Sequence, residues 1–84
     1  MKNMENLKEE NRKIRKLQIM VHFTTQLLYQ KSELNLLEGL LHIQNVRKFA
    51  LGLFPGKGEV FDLIYRTRLL RVLEERGLFF PNSN

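Results

Sequence analysis

Between Met4 and Lys31 the apolar side chains recur with a helical period. At about 100° per residue, Leu7, Ile14, Leu17, Met20, Val21, Thr24, Leu27 and Leu28 fall on one stripe roughly 140° wide, and Lys13, Arg15, Lys16 and Gln18 fall outside it. The pattern predicts one long amphipathic helix. Leu7, Ile14, Val21 and Leu28 also keep a strict seven-residue spacing, with Leu17 and Thr24 in companion heptad positions and Glu10 and Lys31 in the remaining two. Ile19 and Phe23, at i and i+4, add a second apolar edge that predicts a further neighbour for the C-terminal half. Some 28 helical residues at about 1.5 Å each span roughly 42 Å, whereas a compact domain of this length has a radius of gyration near 12 Å. The helix is longer than its globule, so its charged first turns either overhang in solvent or run along a second copy of the chain. The heptad, continuing out to Leu7, favours the dimer.

Ser32 to Asn35 reads as a connection, and Asn35 with Glu38 three residues on matches a capping box at the head of a second helix. From Leu36 to Leu53 the apolar positions cover most of the circumference, leaving Glu38, Asn45, Lys48 and Gly52 as the polar strip, which predicts a central, buried helix. Arg47 projects among Leu36, Leu40 and Leu51. It either packs its stem on leucines with its head in water or forms an ion pair with Glu59 or Asp62 of the next helix.

Phe54-Pro55-Gly56-Lys57-Gly58 ends the second helix, because Pro55 pushes Phe54 out of the helical region and the glycines permit a tight turn. Its spacing fits neither a phosphate-binding loop nor a dinucleotide fingerprint: no Ser or Thr follows Lys57, and Phe61 stands where a third glycine is required. From Glu59 to Arg76 the helical pattern changes phase. Val60, Phe61, Leu63, Ile64 and Tyr65 centre almost opposite Leu69, Leu70, Val72 and Leu73. A break or kink at Arg66-Thr67-Arg68, with Thr67 as N-cap of a short fourth helix, accommodates both sets; an unbroken helix lodged between its own core and a second subunit is the alternative. Gly77 followed by Leu78 predicts a left-handed cap of the Schellman type. The adjacent aromatics Phe79 and Phe80 either fold back on the core or dock on a partner.

These elements define an all-α fold: a small antiparallel bundle of three long helical segments, the last broken near Arg66-Arg68 into a third and a short fourth helix. Residues 1–84 form a single domain, with 1–6 and 81–84 frayed or disordered. Sixteen Leu, six Phe and one Ala supply a small but strongly apolar core. The chain lacks cysteine, which excludes disulfides and thiolate metal sites. No segment reaches the roughly 20 apolar residues of a membrane span and no secretory pattern opens the chain, so a soluble, cytoplasmic protein is expected.

His22 and His42 have no acid or second histidine at i+3 or i+4, and most carboxylates face a basic residue at helical spacing, as Glu9 faces Arg12 and Lys13. We therefore expect no enzyme, no cofactor, no metal site and no small-molecule substrate. The tripeptide Ile64-Tyr65-Arg66, followed by Leu69, Leu70 and Arg71, resembles the Leu-Tyr-Arg signature of small helical mitochondrial accessory proteins over less than a tenth of the chain. That signature lies near the N-terminus of its helix 1 and begins with Leu, so no function is carried over.

What remains is a non-catalytic helical module for protein–protein interaction or regulation, self-associating through the first helix, with Ile19, Phe23, Phe79 and Phe80 as candidate partner-binding residues. The net charge of +5 supports one alternative, nucleic-acid binding through Arg12, Lys13, Arg15 and Lys16 or through Arg66, Arg68 and Arg71.

Overall fold

The computed structural model describes residues 4–80, with side chains from Asn6 onward. Three helical segments run up, down and up: α1 (Met4–Gln30), α2 (Leu36–Leu53), and a third made of α3 (Gly58–Phe61), a π-helical turn (Asp62–Arg66) and α4 (Thr67–Glu75) joined end to end. The expected fraying falls, for residues 1–3 and 81–84, outside the described residues; Met4, Glu5 and Asn6 are helical.

Local chemistry sets the boundaries. At the head of α2, Asn35 Oδ1 accepts from the Glu38 amide at 2.8 Å, and the Glu38 carboxylate accepts from the Asn35 amide at 3.4 Å, completing the capping box. Lys31 Nζ lies 2.5 Å from Glu38 Oε2. This hydrogen bond, with the one from the Asn35 backbone, holds the Glu38 carboxyl below its ordinary range. At the end of α4 the Leu78 amide donates to Leu73 O and the Gly77 amide to Glu74 O, both at 2.9 Å, with Gly77 at φ +76°. That is the Schellman geometry the Gly77-Leu78 pair predicts.

The C-terminus of α1 is satisfied from a distance. Its last turn has no basic residue, and Arg76 supplies one from the far end of the chain: Nη1 donates to Leu28 O at 2.7 Å and Lys31 O at 2.5 Å, and Nη2 to Ser32 O at 3.5 Å. Leu28 O is one of the carbonyls that a helix end leaves without an intrahelical partner, and Lys31 and Ser32 lie in the connection just beyond it. Beside them the Tyr29 hydroxyl donates to the Glu75 carboxylate, which raises the Tyr29 pKa above its ordinary value.

The core is one layer of side chains from all three segments: Leu17, Val21, Thr24 and Leu28 of α1, Ile43, Val46 and Ala50 of α2, and Phe61, Leu69, Val72 and Leu73 of the third helix, with Leu34 from the connection. Leu28, Leu69 and Leu73 have no exposed surface. Gly39 lets α2 and α4 approach closely, since a Cβ there would lie 2.6 Å from Leu73 Cδ2.

Two expectations are corrected. The third segment is divided where expected, α4 beginning at Thr67 after the π turn, but the pieces stay joined end to end and Thr67 is not an N-cap. Phe61, Asp62, Arg66 and Thr67 all keep right-handed helical dihedrals, and the Thr67 hydroxyl donates back to Asp62 O at 3.3 Å. The change of phase comes from the π turn, which inserts one residue. Steps of four residues along a regular α-helix overshoot by about 40° each, so Phe61, Tyr65, Leu69 and Leu73 would drift by about 120°. One extra residue takes back about 100°, and the four stay in line. Val60, Leu63 and Ile64, which pulled the sequence pattern to the opposite side, are surface residues.

The second correction concerns α2, which is not surrounded. Leu37 and Leu41 are 67% and 54% exposed along its outer face, since the bundle is a single slab with extents of 48 × 29 × 16 Å. The radius of gyration, 14.8 Å, exceeds the roughly 12 Å of a compact chain of this length. The excess reflects α1. Residues 6–12 are all exposed and Lys13 only half-buried, so the first ten residues of α1 overhang the bundle.

Candidate interaction surface

Where the overhang leaves the bundle, α1 borders an apolar groove of about 330 Å³ lined by Ile14, Leu17, Ala50, Phe54, Lys57, Val60, Phe61, Ile64 and Tyr65. Its floor is core: Leu17, Ala50 and Phe61 are buried. Its walls are not, with Ile14, Val60 and Ile64 all 43–48% exposed. The π turn carries Phe61 and Tyr65 on the line that faces the core while Ile64 stays at the lip.

A bidentate ion pair fixes the far wall. Arg47 Nε and Nη2 donate to Asp62 Oδ1 and Oδ2 at 2.8 and 3.2 Å. Of the two readings of Arg47, the ion pair is therefore the one realised, and its partner is Asp62. The guanidinium lies against Gly58, where a Cβ would meet Nη2 at 2.6 Å, so the start of α3 is clamped to the middle of α2. Hydrogen bonds from Arg47, and then the charges of Arg47 and Arg66, hold the Asp62 carboxyl below its ordinary range. The same pairing raises the Arg47 pKa.

A second, more polar depression of about 490 Å³ runs between α1 and the third helix, lined by Gln18, Val21, His22, Thr25, Tyr29, Ile64, Tyr65, Arg68 and Val72. Ile64 and Tyr65 form the wall between the two. The Arg68 guanidinium stands 6.0 Å from the Tyr65 ring centre, at cation–π distance.

The sequence-derived candidates fall in different places. Ile19 and Phe23 are 62% and 63% exposed on α1 and line neither groove. Phe79 is half-buried against the core, whereas Phe80 is 80% exposed. Of the basic groups, Lys8, Arg12 and Arg15 share one side of the overhang with Asn11, while Lys13 lies with Asn6, Glu9 and Glu10 on another; Lys16 is exposed. Arg66, Arg68 and Arg71 do not form one patch: Arg66 acts on Asp62 on the α2 flank, Arg68 covers Tyr65 on the α1 flank, and Arg71 is exposed. His22 borders the polar depression and His42 is half-buried on α2. Among the described residues no group of three or more His, Asp or Glu is placed to hold a metal ion, and no helix is long and apolar enough to cross a membrane.

The groove of Ile14, Phe54, Val60 and Ile64 was not singled out from sequence. Its signal was the seven-residue line from Leu7 through Ile14, read as a helix seam without its opposite wall. No protein family, curated protein or solved structure matches the chain.

Proposed function

We propose that this chain is a small, non-catalytic, cytoplasmic helical module that self-associates through the overhanging part of its first helix. One observation carries the reading. Leu7 and Ile14, 47% and 43% exposed, continue the line of the buried Val21 and Leu28 past the end of the bundle, and Ile14 forms one lip of an apolar groove open to solvent. An apolar line that outruns its own core and ends in an apolar groove is the kind of surface that a partner covers. The carboxylates with perturbed titration, Glu38 and Asp62, cap a helix and clamp two helices together, which supports a structural use for them.

Sedimentation velocity across a dilution series tests the reading. The wild-type chain is expected near twice its 10.0 kDa mass, and Ile14→Glu near the monomer mass with unchanged helical circular dichroism. Phe23→Ser, exposed but away from the groove, is expected to remain dimeric. A wild-type monomer at every concentration overturns the proposal, as does an Ile14→Glu variant that stays dimeric.

A further inference from the structure

Resting on the self-association just argued, we propose that the partner is a second copy lying antiparallel, with Leu7 of each copy seated in the groove beside Ile14 of the other. The charge order along the overhang selects the orientation. Residues 6–10 carry Lys8 against Glu9 and Glu10, whereas residues 11–16 carry Arg12, Lys13, Arg15 and Lys16 and no acid. Parallel pairing stacks the four cations of residues 11–16 on the same four of the other copy, at contact distances where like charges repel. Antiparallel pairing lays the net acidic turn of each copy over the basic turn of the other.

Register follows from the apolar positions. Setting Leu7 against Ile14 places the two-fold axis between residues 10 and 11 and brings Glu9 level with Arg12 of the other copy, twice by symmetry. The contact is then isologous and closes at two chains. Leu7 enters a groove whose lips, Ile14, Val60 and Ile64, are each about half exposed in the single chain. Lys57 lines the same groove and meets a helix carrying Glu9 and Glu10 within one turn of Leu7. Ile19 and Phe23, on another edge of α1, are left outside the contact.

Pulsed electron–electron resonance measures the orientation directly, because the chain contains no cysteine and one introduced residue takes one spin label. Gln26 is exposed and lies 15.5 residues from the proposed axis. At about 1.5 Å per residue, labels on Gln26→Cys in the antiparallel dimer are separated by about 47 Å. Parallel helices packed 8–10 Å apart would keep the two labels within about 25 Å. A distribution centred near 47 Å supports the proposal. A dimer with a short separation, or with any other well-defined one, overturns the antiparallel register while leaving self-association standing. A decay without intermolecular coupling, together with a monomer mass, overturns both.

Discussion

The π turn is an inserted residue that keeps one apolar line in register, and its removal makes a test with an unusual expected result. In an ordinary helix, deleting one residue rotates everything downstream by about 100°. Applied to α4, that rotation would take Leu69, Val72 and Leu73 out of the core. Each is 0–4% exposed, and burying such a side chain fully contributes about 1.5–3 kcal/mol, so losing all three costs about 4.5–9 kcal/mol. A small domain has about 5–15 kcal/mol in total, and the fold would be lost or nearly so. Deleting Leu63, a 78% exposed residue inside the π turn, should do otherwise. The segment becomes regular α-helix, the core positions keep spacings of three, four and four, and their accumulated drift is only about 20°. We expect a cooperative thermal transition with stability within about 2 kcal/mol of the parent, the usual range for a single moderate change. Deleting Gln44, exposed on α2 where no π turn exists to absorb the loss, should abolish that transition. Thermal melts followed by circular dichroism at 222 nm read both variants. If the Leu63 deletion unfolds as completely as the Gln44 deletion, the π turn is not the compensating insertion argued above.

Gly39→Ala forces a methyl to within 2.6 Å of Cδ2 of the fully buried Leu73 and should destabilise by about 1–3 kcal/mol in urea unfolding; an unchanged midpoint would show that α2 and α4 are not in close contact. Arg76→Ala removes the donor that serves Leu28, Lys31 and Ser32. It should cost about 1.5 kcal/mol, the low end for charged hydrogen bonds, seen as a fall of about 6–12 °C in Tm. Stability should also depend on pH at both ends. Asp62 and Glu38 are depressed when folded, so their contribution is full above their ordinary range and is lost as pH falls through the lower folded values. Tyr29 is raised by its hydrogen bond to Glu75, so its contribution is full below its ordinary value near 10 and is lost as pH climbs above it. Thermal midpoints should form a plateau between these limits, and a midpoint that rises on acidification from pH 5 to pH 3 would contradict the carboxylate assignments.

What the sequence disclosed was chemistry that acts within a few residues. Asn35 with Glu38 capped α2, Pro55 ended it, and Gly77 with Leu78 closed α4, because capping and turn formation need only near neighbours. The all-α bundle followed from the apolar period of α1 and α2. Over residues 59–76 the change of phase was legible but its cause was not: Val60, Leu63 and Ile64 are apolar yet exposed, so they shift the apparent core side. A π turn has no composition signal of its own and is fixed by what the helix must touch. The cap that Arg76 places on α1 spans 48 residues at its longest bond and leaves no local trace. The candidate site was half legible. Leu7 and Ile14 stood out by heptad spacing, whereas Phe54, Val60 and Ile64 joined them only once the third helix was laid alongside α1.

The central claim is that a second copy covers the overhang of α1. Hydrogen exchange of the backbone amides of residues 8–16, followed as protein concentration is raised, tests it directly, because an overhanging helix in a single chain opens easily and exchanges fast. The account predicts that protection of these amides grows with concentration while that of residues 20–28, buried in the bundle, stays constant. Exchange in residues 8–16 that is fast and independent of concentration would contradict it.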